Sequence, residues 1–491
     1  MRRSNARKGL WLATLAATVW VAGPGSEGAD SESSGPALTL FFIGNRMSEI
    51  EPCGCKENQL GGVQFEATLY AEVPAARSLR VDAGAWTSLA LNPERSMRTR
   101  YALRAMGGLL DLDAVNVGQP DLEQGPDFFE DVGAKHPEAI ARLVSANIYL
   151  KAEPGRLAFP AWRMVEKTID GEQPLRVAIA GTAAPLDKTS KAAQFRTRRF
   201  EADYVIGSAA DALNEILPEM KAGADLTVAL FHGTWPETVE LARAVPGLDL
   251  LVSTSRPPTV ETGPILEGGV RILSVHNAEG KELGRAELRR GADGWTVVGQ
   301  PVWLPISPQR LVADVAALQL LKEFRANTEE LIVQAPRNPT RTYAGAQYCG
   351  ICHVREYQDW VKTPHFHALD TLIAKGSQYD AKCLQCHTLG FQKDNGFYNV
   401  NESRSMGGVQ CETCHGPGYE HAAKQNLVRN GSVNAMNPED RARFLADLKR
   451  LNPPSRVEAG TCLQCHTPEN DAHFDYDLKI RKVNHEISPP G

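Results

Sequence analysis

The sequence predicts an α/β domain followed by a mainly α-helical domain, and three observations predict it. Short apolar runs alternate with helical patterns from residue 38 to 305, the signature of a layered α/β architecture with a largely buried sheet. Eight of the ten cysteines then crowd into 349–465, and nine of the twelve histidines lie beyond 350. Between these regions Ser307–Val333 reads as one helix, with Leu311, Val315, Leu318, Leu321, Phe324 and Leu331 roughly in phase, and Ala335-Pro-Arg-Asn-Pro339 ends it. The expected organisation is a leader over 1–23, a flexible linker over 24–37, the α/β domain over 38–305, a helical spacer and Pro-containing linker over 306–340, and a C-terminal domain over 341–491.

Composition narrows the function classes. A chain of 491 residues allows two to four domains at roughly 150 residues each. Charged residues at 23% and hydrophobic ones at 42% fit a globular protein. The net charge is −6, and no basic block follows the first eight residues, which argues against nucleic acid as a partner. Cysteine is too sparse for a disulfide scaffold.

The N-terminus joins a basic start, Met-Arg-Arg-Ser-Asn-Ala-Arg-Lys, to an apolar run from Leu10 to Ala22 and a Gly/Ser-rich stretch. These are the parts of a secretory signal peptide. A membrane span needs about 20 apolar residues, and the run is shorter. Cleavage near Gly23 removes Arg2, Arg3, Arg7 and Lys8 and leaves an acidic, exported chain in a periplasmic or extracellular, oxidising setting, not an integral membrane protein.

Within 38–305 the expected strands are Leu38–Ile43, Leu79–Val81, Ala114–Val117, Arg176–Ala180, Leu226–Phe231, Leu248–Val252 and Arg271–Val275, with helices over Gln64–Ala76 and Ser96–Leu110. Cys53 and Cys55 sit in Glu51-Pro-Cys-Gly-Cys-Lys56 ahead of Gly61-Gly62. Two thiolates this close suit a soft ion such as Cu(I) or Zn²⁺, or a redox thiol, or they form a structural pair, a strained disulfide included. His136 and His276 stand alone and are assigned nothing.

The C-terminal cysteines all belong to one pattern. Cys349-Gly-Ile-Cys352-His353, Cys383-Leu-Gln-Cys386-His387, Cys411-Glu-Thr-Cys414-His415 and Cys462-Leu-Gln-Cys465-His466 are four copies of C-x-x-C-H, the attachment signature of c-type haem. Two thiols three residues apart form thioethers to one porphyrin, and the adjacent histidine becomes the proximal iron ligand. Chance gives about 0.005 copies in a chain of this composition. Zinc knuckles need no histidine after every second cysteine, and disulfides leave the histidines unexplained. Four covalent c-type haems are therefore expected, with the porphyrins forming most of the core among short helices such as Glu439–Leu451 and little sheet.

Each iron has a sixth position. His365 and His367 lie 12 and 14 residues after His353, in an amphipathic, helix-like frame with Tyr357, Trp360, Ala368 and Leu369; His421 follows Gly416-Pro-Gly418, and His473 and His485 come later.

Tyr343-Ala-Gly…Cys349-x-x-Cys-His…Tyr357-x-x-Trp360-x-x-Thr-Pro-His365, then Cys383-Leu-Gln-Cys-His-Thr-Leu-Gly-Phe391, Gly407-Gly-Val-Gln-Cys-Glu-Thr-Cys-His-Gly-Pro-Gly…His421 and Cys462-Leu-Gln-Cys-His-Thr-Pro…His485 resemble the tetrahaem cytochrome c family of ammonia oxidisers, the electron acceptors of hydroxylamine oxidoreductase. The resemblance covers about 341–491. It implies three bis-histidine haems with His365, His421 and His485 as distal ligands, and one open or weakly held site, the haem on His387. His367, His473 and the thioethers of Met406 or Met436 are the other candidates to complete that fourth site. Which distal histidine serves which iron stays open.

The α/β region resembles the nucleotidase branch of the calcineurin-like metallophosphoesterases. The matching landmarks are Leu40–Ile43 leading to Glu51-Pro-Cys and Gly61-Gly62, Val81-Asp-Ala-Gly84, Asp113-Ala-Val-Asn-Val-Gly118, Leu230-Phe-His-Gly233 and Leu248-Asp-Leu-Leu-Val252. The resemblance implies an α/β sandwich. It also exposes losses: Asn45-Arg46-Met47 stands for D-x-H, Gly84-Ala85 for G-D, Gly118-Gln119-Pro120 for G-N-H and Thr254-Ser255-Arg256-Pro257 for G-H-x-H, and only His232 survives. Two-metal hydrolysis needs those carboxylates and imidazoles, so phosphoesterase activity is expected to be lost.

The function expected is one-electron transfer by an exported tetrahaem cytochrome in a periplasmic redox chain, between a redox-protein donor and acceptor. One alternative is a multihaem oxidoreductase acting on a small nitrogen or sulfur species at the open haem. Another makes the N-terminal domain a substrate-binding module coupled to the cytochrome.

Overall fold

The computed structural model describes residues 37–491 apart from 54–58, 88–92, 170–172, 186–198, 259–262, 276–278, 292–293, 336–339, 453, 455, 469, 484 and 486–491. The expected leader and nearly all of the linker, together with Cys55 and His276, lie outside the described residues.

Two six-stranded sheets stack face to face. The first runs in spatial order Gly294–Pro305, Glu282–Gly291, Leu38–Ile43, Ser78–Asp82, Ala114–Asn116, Leu143–Val144. The second runs Ile265–Glu267, Val270–Ser274, Leu250–Ser253, Leu226–His232, Leu175–Ala183, Trp162–Lys167. The inner strands are parallel, while Glu282–Gly291 and Trp162–Lys167 pair antiparallel with their neighbours.

Strand alternation explains the layering. Leu40 and Phe42 point between the sheets, where they meet Val81, Ile179, Val228, Leu230 and Val252. Phe41 and Ile43 point outward beneath Leu69, Tyr70, Leu103 and Met106 of the covering helices. The outer face of the second sheet is covered by Ala209–Gly223 and Trp235–Ala244, through Leu213, Leu217 and Leu241. This is an α/β sandwich whose parallel strands are buried on both faces, as continuous apolar runs require.

Three expected boundaries are corrected. The helix expected over Gln64–Ala76 is Val63–Ala71, because Pro74 excludes the α conformation just before it. The one over Ser96–Leu110 is Pro93–Arg104 followed by a wider turn, Ala105–Leu109. The spacer helix is Val315–Val333, not Ser307–Val333. Asp314 caps its start by accepting from Ala317 N, while Arg310 and Leu311 bond back to Ser307 in a turn.

After Ala346 the chain is short helices: Val354–Trp360, Ala368–Ala374, Ala381–His387, Cys411–His415, Tyr419–Arg429, Pro438–Arg450 and Tyr476–Val483. The amphipathic frame expected around Tyr357–Leu369 is thus two helices, separated by a turn that holds Pro364, His365 and His367. Its apolar cluster is small. Leu369, Leu372, Leu384 and Phe397 gather on Ile332 of the spacer helix.

Candidate functional site

Each C-x-x-C-H segment is a helical turn. In the first, Cys352 N and His353 N donate to Cys349 O at 3.1 and 2.9 Å; in the fourth, Cys465 N and His466 N do the same to Cys462 O. The second and third lie inside Ala381–His387 and Cys411–His415. Residues i, i+3 and i+4 of such a turn share one face, so both thiols and the imidazole of every motif point the same way. That donor set fits covalent haem.

The motif histidines are oriented from behind. His387 Nδ1 lies 2.6 Å from Ala368 O, His415 Nδ1 2.8 Å from Pro454 O, and His466 Nδ1 2.9 Å from Asp471 Oδ2. An acceptor on Nδ1 fixes the proton there and leaves Nε2 as the basic nitrogen facing away, the arrangement an iron ligand needs.

Histidines from elsewhere in the chain face two of the four, and a third lies near another. His365 and His466 have ring centres 6.2 Å apart, and His415 and His485 have theirs 5.9 Å apart. His421 is close enough to His353 for the two imidazoles to repel each other's charge. Two rings sharing one metal stand about 6 Å apart, from metal–nitrogen bonds of about 2.0–2.1 Å on each side plus about 1 Å from nitrogen to ring centre. Among the described residues no histidine ring faces His387 in this way. His367 instead pairs with Asp370 at the surface, and Met406 packs in the apolar cluster with Leu369 and Phe397.

The motifs also touch one another. The thiols of Cys349 and Cys411 are within hydrogen-bonding reach, as are those of Cys386 and Cys465, and Cys414 lies beside Cys462. The resulting order of contact is first, third, fourth, second. Glu412, inside the third motif, holds the segment before the first by accepting from Ala344 N and Gly345 N, and the turn after its own motif by accepting from Gly418 N.

At the strand ends of the sandwich the chemistry is different. Asn45 Nδ2 donates to Thr254 O at 2.8 Å, His232 Nδ1 lies 3.1 Å from Thr254 Oγ1, and Gln119 Nε2 donates to Ala184 O at 2.6 Å. Arg46 is buried, bonding Asp82 through Nε at 2.5 Å and Glu66 through both terminal nitrogens at 2.6 Å. Its guanidinium is raised well above its ordinary value: burial opposes the charge, but the two carboxylates outweigh it. A fixed cation therefore occupies Glu66 and Asp82 of this region. Among the described residues no group of three or more His, Cys, Asp or Glu is placed to hold a metal ion. Cys53 is buried, with Lys382 Nζ 3.3 Å from its sulfur and Glu279 at 4.0 Å. That ammonium opposes a soft cation at the sulfur.

Known proteins resemble both parts. The model of the family "Cytochrome c554 and c-prime" matches residues 348–416. Cytochrome c-554 of Nitrosomonas europaea is 31% identical over 176 residues, 29% of this chain and 73% of the relative. The chain belongs to the cytochrome c554 family. Membership rests on its C-terminal part and makes it a multihaem c-type cytochrome with covalently bound haem, which exchanges electrons with redox partners. The α/β part is similar to the sulfate thiohydrolase SoxB of Thermus thermophilus (18% identity, TM-score 0.48, 62% of each chain). It is also similar to a 5'-nucleotidase precursor of Thermus thermophilus (20% identity, TM-score 0.45, 70% of this chain and 68% of that one).

For a cytochrome c554 relative, sequence reasoning named candidate thiols and histidines but missed Arg46, which it met only as a departure from a motif. Its partners Glu66 and Asp82 lie on other elements, and no local signal joins them. Asp471 was missed as well, although its place five residues after His466 was a usable sign. No described helix is long and apolar enough to cross a membrane.

Proposed function

We propose that this cytochrome carries four c-type haems, on Cys349/Cys352/His353, Cys383/Cys386/His387, Cys411/Cys414/His415 and Cys462/Cys465/His466, and passes single electrons between periplasmic redox partners after export. The observation that carries this is the pairing of histidine rings. It supports His485 opposite His415 and His365 opposite His466; the nearness of His421 to His353 supports that pair as the third, and among the described residues no histidine ring faces His387. Haem held in this way supplies one-electron oxidation and reduction. The chain's own part is to fix the ligand tautomers, through Ala368 O, Pro454 O and Asp471, and to bring neighbouring motifs into contact. Bis-histidine sites change little between oxidation states, which favours fast transfer.

A second reading is favoured by His387 alone. A site without a facing imidazole leaves room for a small ligand, so a nitrogen or sulfur species reacting there is the alternative function. In the sandwich, Asn45, Ala85, Gln119 and Thr254 offer no charged oxygen or imidazole for two metals, which supports loss of phosphoester hydrolysis.

Redox titration followed by absorbance and EPR tests the proposal. Three low-spin haems and one high-spin haem that shifts with nitric oxide are expected. Four low-spin haems indifferent to nitric oxide would remove the second reading. Phosphate release from nucleotides with added Mn²⁺ would overturn the loss of hydrolysis.

A further inference from the structure

We propose that the α/β sandwich tunes the reduction potential of one haem, that on His387, through two side chains at the start of its attachment helix. The inference rests on the reading that Cys383, Cys386 and His387 hold a haem.

The helix Ala381–His387 begins at Asp380, whose Oδ1 accepts from Lys382 N at 2.9 Å and Cys383 N at 3.4 Å. The other oxygen of Asp380 accepts from Arg98 Nη2 at 2.7 Å. Arg98 belongs to the sandwich helix Pro93–Arg104, is only 1% exposed, and is itself held by Glu94 at 2.6 Å, by Glu51 at 3.5 Å and over the Phe324 ring of the spacer helix. The next residue of the attachment helix, Lys382, turns back to the sandwich and reaches Glu49 Oε1 at 3.1 Å and Cys53 Sγ at 3.3 Å. From the other side of the turn, Leu384 is fully buried against Ile332 of the spacer. The motif helix is therefore seated on the N-terminal part by two ion pairs and an apolar contact. Its first attachment cysteine follows directly after one of the paired charges.

A haem iron carries less positive charge when reduced, so a nearby cation favours reduction and a nearby anion opposes it. Charges fixed within a poorly solvated junction act more strongly than the same charges in water. Arg98 and Glu49 hold Asp380 and Lys382 in place, and so set the field along this helix. Asp380 and Lys382 are positioning residues, for they touch neither substrate nor iron.

The test uses the full holoprotein and two substitutions of opposite sign, with the potential of each haem read by spectroelectrochemistry. Haem content is measured first. The wave of the His387 haem is assigned by its upward move in His387→Met, since a methionine ligand raises the potential. Lys382→Gln removes a cation and is expected to lower that wave; Asp380→Asn keeps the cap, since Asn caps as well as Asp, and is expected to raise it. Each shift should be about threefold to tenfold in the one-electron equilibrium constant, tenfold being about 59 mV, with the other three waves unmoved. Loosening of the helix would move both variants in the same direction, so parallel shifts, or none, in a protein holding four haems would overturn the proposal. Fewer than four haems in the unsubstituted protein, or no wave that responds to His387→Met, would overturn the underlying reading and the proposal with it.

Discussion

His365 and His466 face each other with ring centres 6.2 Å apart and planes inclined at 54°, although one follows the first attachment motif and the other closes the fourth. The turn that carries His365 is held by Val409 N, which donates to His365 O, and by Trp360 Nε1, which donates to Val409 O at 2.8 Å. The imidazole of His365, from the first segment, is thereby brought to the last motif.

His365→Ala should accordingly convert the haem on His466, not the one on His353, from low to high spin. EPR combined with the distinct potential of each haem distinguishes the two. Conversion of the His353 haem would break the pairing.

Asp471 Oδ2 accepts from the Nδ1 side of His466 at 2.9 Å, and Lys479 lies 3.7 Å from the same oxygen. A carboxylate on Nδ1 makes the imidazole a stronger donor and steadies ferric iron. Asp471→Asn should raise the potential of that haem alone, and an unchanged or lowered potential would count against the pairing of Asp471 with an iron ligand.

The legible parts of this molecule were those whose signal is local. Leu38–Ile43 is buried at all six positions, so its apolar run announced a strand. The hairpin partners Glu282–Gly291 and Gly294–Pro305 were missed because each is half exposed: the first carries Arg285, Glu287 and Arg289 on its open face, and the second is interrupted by Gly299 and Pro301. The attachment motifs were legible for the same reason as the strand: five consecutive residues form each turn. The facing histidines were not pairable from sequence, because the helices between them decide which rings meet. Nor was Cys53, whose neighbour Lys382 lies in the other part of the chain.

Arg46 joins Glu66 and Asp82 with all three side chains 2% exposed or less. Removing one partner of a buried ion pair leaves uncompensated charge, at a cost of about 3–5 kcal/mol. Arg46→Met should lower the unfolding free energy by about that amount in denaturant titration followed by circular dichroism. A loss under about 1 kcal/mol, the range of surface pairs, would show that the carboxylates do not depend on it.

Asp121 is buried beneath the same strand ends and accepts from Gly118 N, Thr87 N and Ala85 N at 2.7, 2.8 and 3.0 Å. Burial pushes its carboxyl up to about 8 and nearby Asp82 adds to this, although the three N–H groups pull the other way. An acid whose folded pKa exceeds its unfolded value stabilises the fold while protonated. That contribution is full below the unfolded value near 3.8 and drains away as pH rises to about 8. Denaturant titrations of the wild type and Asp121→Asn should give a stability difference that falls between these limits. A difference that stays flat or grows would mean that the carboxylate is ionised throughout.

The most direct test of four haems on four motifs is the haem content of the exported chain, by pyridine haemochrome against protein concentration and by intact mass. Four haems per chain are predicted, with one lost when Cys383 and Cys386 are both replaced by Ala. Three or fewer in the unsubstituted protein, or a double variant that still holds four, would contradict it.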